Sequence, residues 1–536
     1  MDYRNPADCL DALRRLHPLD IDGTHRTLAQ ILEDQLDAQP APNQHLEVVE
    51  ALRAPLALVQ QQLAHRYAAH PMPPASAENR SLERVIGLWR LMARSYTDIL
   101  HRDASEGTLD DQRALLAHRR VFYTAQPMIE HFRAHRSLPP GLWAQLHESY
   151  AMAEALGVVD IRVTDALNEV WQAQSAAQAY IAALLIDIAN PFGRGEREFE
   201  WVCRWAQRFA PNCSLAAPDG TDEAPKPTSY GIDLASDHGL RPIGMLAGGA
   251  TLRRFDGSQL AGQIQAIMAE FRLGVQPAAL GLGADCAVDA AARLLVSLYR
   301  PWGLASIGRR FKRRRASGQV ELTGDWLAIG FHVQGKLFEQ PKYPTMMRSL
   351  RSDIELLTFG ERVASVEPTD PEQRRRRDAE KLGFVCERWD MLDESVGGFR
   401  LRQTPTAERL EHLQLVALRP PDGEHFLLGQ ISWLVFQADG HMEVGVNLLN
   451  GLPKVIAVRQ TGLTRGQPGG YQQAFSLPET PAMKKPPSLV LPAGWFQPHA
   501  VIEIHDGDKR HLRLVQLLAR GPNFDQVSYE AVNGTA

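Results

Sequence analysis

Near residue 303 the hydrophobic patterning of this chain changes from helical to strand-like, so the two parts cannot share one layer of structure. Before that point, apolar residues from Leu82 fall at Val85, Ile86, Trp89, Met92, Tyr96, Ile99 and Leu100, mostly in steps of three and four. That spacing makes one apolar helix face, with Ser81 placed to cap it. Thr108 and Asp111 form a capping-box-like pattern before Ala114, Leu115 and Leu116. A further helix is expected after Pro139-Pro140, carrying Trp143, Leu146, Tyr150 and Ala153 and stopping at Gly157. Another is expected from Val163 to Ala189, ahead of Pro191. No fixed repeat period links these segments.

After residue 303 the apolar runs are short: Gln319–Leu322, Trp326–Val333, Gly398–Leu401, Leu415–Leu418, Phe426–Phe436 and Met442–Leu449. Turn residues punctuate them, as in Pro420-Pro421-Asp422-Gly423 and Ala438-Asp439-Gly440. This is a strand-and-turn texture, interrupted by a helical stretch at Thr345–Phe359 and a polar, Arg-rich segment at 362–380 that reads as a linker. Further strands are expected at Ser488–Leu491 and Ala500–Ile504, while Leu512–Leu518 fits helix or strand equally.

The fold class expected is multidomain α + β, an N-terminal α-helical array followed by antiparallel β-barrel domains. The expected divisions are a helical domain at 1–210, a linker and mixed region at 211–302, and β-domains at 303–365 and 366–465. A β-rich extension at 466–536 ends in a disordered tail. At 44% hydrophobic and 23% charged residues, the chain is neither a disordered nor a collagen-like polymer. The longest apolar stretch, Ala179–Ile186, is too short to span a bilayer, and the N-terminus has no signal-peptide core. A cytoplasmic location is expected. The five cysteines (Cys9, Cys203, Cys213, Cys286 and Cys386) lie far apart with no CxxC, so buried thiols are expected rather than disulfides or a metal site.

Two clusters carry the chemistry. In Ile307-Gly-Arg-Arg-Phe-Lys-Arg-Arg-Arg, six of the seven residues from Arg309 to Arg315 are basic, with Arg309/Arg313 and Arg310/Arg314 each four apart. Arginine presents a planar fork that grips phosphate oxygens in pairs and a face that stacks on a base. As local composition alone, such a run is more often a solvated basic loop. A second run, Arg374 to Arg377, precedes Asp393-Glu-Ser395-Val-Gly-Gly398-Phe by about sixteen residues. There Asp and Ser offer hydrogen-bonding groups, and glycine lets a ligand approach the backbone.

Asp393-x-Ser395-x-x-Gly398 resembles the second signature of PilZ domains, which bind the bacterial messenger cyclic di-GMP; the first signature of that family is RxxxR. The segments Gln430-Ile-Ser-Trp433 and Glu443-Val-Gly445-Val that follow are also similar to PilZ strands. The resemblance covers about 375–460, with 303–340 as an associated half. It implies that Arg310 and Arg314, or their neighbours Arg309 and Arg313, grip phosphates and stack on guanine. Asp393 and Ser395 then hold a guanine and its phosphate, Gly398 leaves room for the base, and Arg374, Arg375, Arg376 and Arg377 complete the arginine set. The strict RxxxR pairs stand about eighty residues before Asp393, so two β-domains in tandem are expected to share one site.

The implied function is a bacterial cyclic di-GMP receptor or effector that passes the signal to a protein partner through its helical region. Cyclic di-GMP is the ligand; no cofactor, metal or catalysis is expected. The alternative is a nucleotide-independent PilZ-like scaffold. A nucleic-acid-binding protein using Arg309–Arg315 comes third, because the chain carries a net charge of −5. Gly281-Leu-Gly-Ala-Asp-Cys lacks the third glycine of a dinucleotide loop, and His131 and His135 lack a third ligand. No GxSxG, HExxH or Walker-type motif occurs.

Overall fold

The computed structural model describes residues 2–17, 19–217, 230–303, 313–341, 371–403, 409–461 and 470–532. The chain divides into two units, Met1–Arg310 with Val435–Asp439, and Phe311–Leu434 with Gly440–Ala536.

The first unit is mostly helical. Helices α1 (Pro6–Arg14), α2 (Ile21–Ala38), α3 (Pro42–Ala64), α4 (Ser76–Glu106) and α5 (Arg113–Arg133) surround one apolar core. The face expected for α4 is the buried one, with Val85, Met92, Tyr96 and Ile99 fully inside. The helix starts five residues before Ser81, where the Glu78 carboxylate accepts from the Ala75 amide at 2.7 Å. It ends at Gly107, whose φ of 65° suits a residue without Cβ. A second core contains part of α5 with α6 (Leu142–Ala155), α7 (Ala176–Ile188), α8 (Glu196–Phe209), α9 (Ser258–Arg272) and α10 (Val288–Gly303). The small sheet of β3 (Ser214–Ala216), β6 (Leu252–Asp256), β4 (Tyr230–Asp233) and β5 (Arg241–Pro242) packs there too. Helix α7 is buried on nearly every side, and the Trp302 indole of α10 donates to its Leu185 carbonyl at 2.8 Å.

The helix expected over Val163–Ala189 is shorter than the pattern suggested. Strands β1 (Val163–Thr164) and β2 (Ala173–Gln174) form a hairpin, and α7 starts only at Ala176. Turn chemistry overrides the apolar period: the Asp165 and Asn168 side chains accept from the Leu167 and Trp171 amides. Ser175 and Gln178 then cap each other's backbone.

The second unit holds two closed six-stranded antiparallel barrels. The first runs β8 (Gln319–Thr323), β9 (Glu387–Ser395), β10 (Gly398–Gln403), β13 (Met442–Leu448), β12 (Leu427–Phe436), β11 (Leu415–Arg419) and back to β8. Strand β7 (Arg314–Arg315) continues beside β9 past the end of β8. The second barrel runs β14 (Lys454–Gln460), β15 (Gln472–Leu477), β16 (Ser488–Pro492), β19 (Phe524–Ala531), β18 (Asp508–Arg520), β17 (Val501–Asp506) and back to β14. Counted along the chain, both rings have the order 1-2-3-6-5-4. Ile329, Leu415, Leu428, Phe475, Val490 and Phe524 share one core, so the barrels pack on each other.

Several expectations shift here. Trp326–Val333 is a helix, α11 (Trp326–Gln334), not a strand. An apolar run of that length does not separate the two periods. The Asp325 carboxylate accepts from the Ala328 amide at 2.8 Å, and Gly335 at φ 75° stops the helix. The linker expected at 362–380 contains α12 (Pro371–Leu382). Residues 303–365 do not make a β-domain separate from 366–465, because β7 and β8 complete the barrel of β9–β13. Residues 466–536 supply most of the second barrel, and Leu512–Leu518 lies in its strand β18. The helix expected at Thr345–Phe359 lies outside the described residues. Among the described residues, no helix is long and apolar enough to cross a membrane.

Candidate functional site

The hairpin of β9 and β10 carries the Asp-x-Ser-x-x-Gly string. Its inner face is apolar: Trp389, Met391, Phe399 and Leu401 are buried in the barrel. Strict alternation would send Asp393 inward after Trp389 and Met391. A β-bulge prevents this. Asp393 pairs with Arg400 while Met391 pairs with Leu401, so Leu392 is the extra residue. The bulge re-aims Asp393 to the outer face, beside Arg400. Ser395 pairs with Gly398 at the end of the hairpin and stands on the same face as Asp393. Its hydroxyl donates to the Gly398 carbonyl at 3.3 Å. A Cβ on Gly398 would lie 1.9 Å from the Val446 carbonyl oxygen, so β13 requires glycine there.

Strand β7 brings the arginine-rich arm to this face. Arg315 pairs with Asp393, and Arg314 pairs with Glu394. Alternation puts Arg313 and Arg315 on the Asp393 side and Arg314 on the other. Arg313 Nη1 donates to Asp393 Oδ1 at 2.8 Å. On the far side of the aspartate, Arg400 Nη1 lies 3.9 Å from Asp393 Oδ2. Arg400 is itself held by Glu443, whose Oε2 accepts from Nη2 at 2.6 Å and from Nε at 3.1 Å. Charges thus alternate from the arm across β9, β10 and β13: Arg313, Asp393, Arg400, Glu443. Next in the row, Arg400 pairs with Gly445, and the Trp433 indole lies over that glycine. A Cβ on Gly445 would stand 2.0 Å from Trp433 Nε1, so the half-exposed indole depends on the missing side chain.

Of the expected site residues, the structure brings together Arg313, Asp393, Ser395 and Gly398. Arg314 is adjacent but faces away, and Arg309 and Arg310 lie outside the described residues. Arg374, Arg375, Arg376 and Arg377 are elsewhere. They sit on α12, which leads into the opposite end of β9, and the six residue steps from Glu387 to Asp393 span about 20 Å of strand. Arg376 lies 3.9 Å from Glu321 and 3.5 Å from Glu372. Arg419 pairs with the same two carboxylates at 2.7 and 3.0 Å. Arg375 and Arg376 line a separate cavity of about 340 Å³ with Phe331, Phe426 and Arg388. Sequence reasoning missed Arg315, Arg400 and Glu443. Arg315 belongs to the basic run; the other two carry no local signal, because their pairing spans 43 residues.

The second barrel repeats the ring but not the site. Its corresponding hairpin, β15 to β16, is joined by Pro478–Pro487 and contains no Asp-x-Ser-x-x-Gly string. Elsewhere, His131 lies in the last turn of α5 while His135 lies beyond the helix at φ 52°. Among the described residues no three His, Cys, Asp or Glu side chains gather as a metal site. In the Gly281–Cys286 loop, Asp285 is taken up by the Trp201 indole at 2.7 Å and by Arg204.

Two family models match the chain. One describes the N-terminal domain of the cyclic-di-GMP receptor FimW and matches residues 7–219. The other, the FimW C-terminal β-barrel domain, matches residues 456–532, which is the second barrel. The cyclic-di-GMP receptor FimW of Pseudomonas aeruginosa is 22% identical over 443 residues, which are 76% of this chain and 70% of that protein. No solved structure matches. The chain is thus similar to FimW at both ends, in its N-terminal domain and in its C-terminal β-barrel, with a first barrel between them that neither model covers.

Proposed function

We propose that the first barrel is a PilZ-type domain and that its outer face binds cyclic di-GMP, making the chain a non-catalytic receptor for that messenger. The observation that carries this reading is the Arg313–Asp393 contact. It joins an RxxxR arm to an Asp-x-Ser-x-x-Gly hairpin 80 residues away. The separation arises from the segment between β8 and β9, which inserts α11 and α12 without breaking the ring. One barrel therefore supplies both signatures, in place of the two-domain composite expected from the sequence. FimW, the curated relative, is named for the same ligand.

In this reading Arg313, with Arg309 four residues before it, presents guanidinium forks to the phosphates. Ser395 donates to a phosphate oxygen, Asp393 accepts from a guanine edge, and Gly398 keeps the surface low enough for a base. The Trp433 indole offers a flat neighbouring surface. The ligand gains a purchase by taking Arg313 from Asp393, which repositions the arm ahead of β8. Transmission to a protein partner through the helical unit belongs to the same proposal.

Calorimetric titration of cyclic di-GMP into the full chain, with GMP and GTP as controls, tests it. Micromolar or tighter binding is expected, weakened at least about tenfold in Ser395→Ala and in Arg313→Ala. Each lost charge-assisted contact corresponds to about 1.5–3 kcal/mol. Absence of heat with the wild-type chain would overturn the receptor reading in favour of a nucleotide-independent scaffold.

A further inference from the structure

Arg400 belongs to neither signature, yet it lies at the centre of the charged row. We infer that Arg400 is a positioning residue: clamped by Glu443, it takes over the Asp393 carboxylate when a ligand phosphate draws Arg313 away. This rests on the cyclic di-GMP reading of the same face.

The two arginines that flank Asp393 are held very differently. Arg313 precedes β7, a two-residue strand that, among the described residues, pairs only with β9 and lies outside the closed ring. Arg400 is in the middle of β10, paired on both sides, to Asp393 in β9 and to Gly445 in β13. Its Nε and Nη2 both donate to the buried Glu443. That leaves Nη1 directed at Asp393, 3.9 Å away, too far for a hydrogen bond while Arg313 holds the other oxygen at 2.8 Å. The arm can leave; the barrel arginine cannot.

Binding then has a stated electrostatic problem. A phosphate that recruits Arg313 strips Asp393 of its partner and places two anions side by side. Like charges at that range oppose binding unless a cation stands between them. Among the described residues, Arg400 is the cation beside Asp393 that is held within the closed ring, and a small movement of Asp393 converts the 3.9 Å approach into a hydrogen bond. Asp393 stays ionised, oriented and free to accept from a base edge.

Affinity of the full chain for cyclic di-GMP, measured by calorimetry, tests this with Arg400→Gln, Arg400→Lys and Asp393→Asn, singly and combined. Arg400→Gln is expected to weaken binding about tenfold, and Arg400→Lys to recover part of that loss by restoring the charge. In the Asp393→Asn background the added Arg400→Gln change is expected to alter affinity by less than about twofold, because its effect runs through the carboxylate. Circular dichroism of each variant confirms folding. Wild-type binding with Arg400→Gln within twofold of it overturns this inference and leaves the receptor reading standing. So does an equal loss on Arg400→Gln in both backgrounds, which is the result of a merely structural role. Absence of binding by the wild-type chain overturns both.

Discussion

Exchanging Arg119 for methionine is expected to destabilise the helical unit by about 3–5 kcal/mol, the usual effect of breaking a buried ion pair from one side. Arg119 is 2% exposed. It donates to Glu50 Oε1 at 2.9 Å and Oε2 at 3.2 Å, to the Thr164 carbonyl at 3.0 Å and to His118 Nδ1 at 2.9 Å. It also lies 3.6 Å from Asp165, whose side chain is 1% exposed and bonded to Arg53 at 2.6 Å. Loss of Arg119 strips Glu50 of its two-pronged partner, leaves Asp165 with one guanidinium in place of two, and unpins the β1–β2 hairpin from α5. The apolar replacement cannot restore those contacts. A fall of roughly 10 °C in the first thermal transition is expected. Arg15→Met is the control: Arg15 pairs with Asp11 at 2.5 Å, but its side chain is 67% exposed, and surface pairs contribute little. A change below 1 kcal/mol for Arg119→Met would mean that the network is not closed in solution.

The same unit is expected to lose stability in mild acid through its buried histidines. Burial, reinforced by the Arg102 guanidinium, pushes His45 down to about 4. Burial, with Arg90 and Arg136 near, does the same to His131, also to about 4. Burial and Arg119 lower His118, whose Nδ1 accepts from Arg119 and whose Nε2 then donates to Gln174. All three are neutral when folded and titrate near 6.5 when unfolded. Between those values the unfolded chain binds more protons, so stability falls with pH. The contribution is complete above about pH 6.5 and is lost as pH drops toward 4. His45 and His131 each account for up to about 3 kcal/mol of that loss. Urea unfolding at pH 7.5, 6 and 4.5 measures it, and His45→Gln is expected to flatten the slope. Constant stability from pH 7.5 to 4.5 would contradict the buried neutral assignment.

Elements with a strong local period were legible from residues alone. The α4 face from Leu82 to Ile99 and strands β8, β10, β11, β12 and β13 stand where the pattern put them. The closure of the rings was not legible, because period-two alternation shows a strand's faces and not its neighbours. Strand β8 meets β9 across the whole inserted segment, so the two β-domains read from the sequence are parts of one barrel. Helix α11 was misread because an apolar run of eight residues satisfies both periods, and Asp325 and Gly335, which decide it, lie outside the run. In the site, the Asp-x-Ser-x-x-Gly turn was legible through local spacing. Its outward aim was not, since the bulge at Leu392 leaves no mark in the pattern. Arg374–Arg377 drew attention by lying close to Asp393 in the chain, but an extended strand carries the two ends apart. The buried network of Glu50, Arg53, Arg119 and Asp165 joins residues up to 112 apart and has no local signature.

The central claim is that the arm before β8 and the β9–β10 hairpin form one ligand site on the first barrel. Hydrogen–deuterium exchange of the full chain, with and without cyclic di-GMP, tests it most directly. Slower exchange is expected in peptides covering both 313–323 and 390–403, with those covering α12 unchanged. Protection of α12 with the 390–403 peptides unchanged would contradict it.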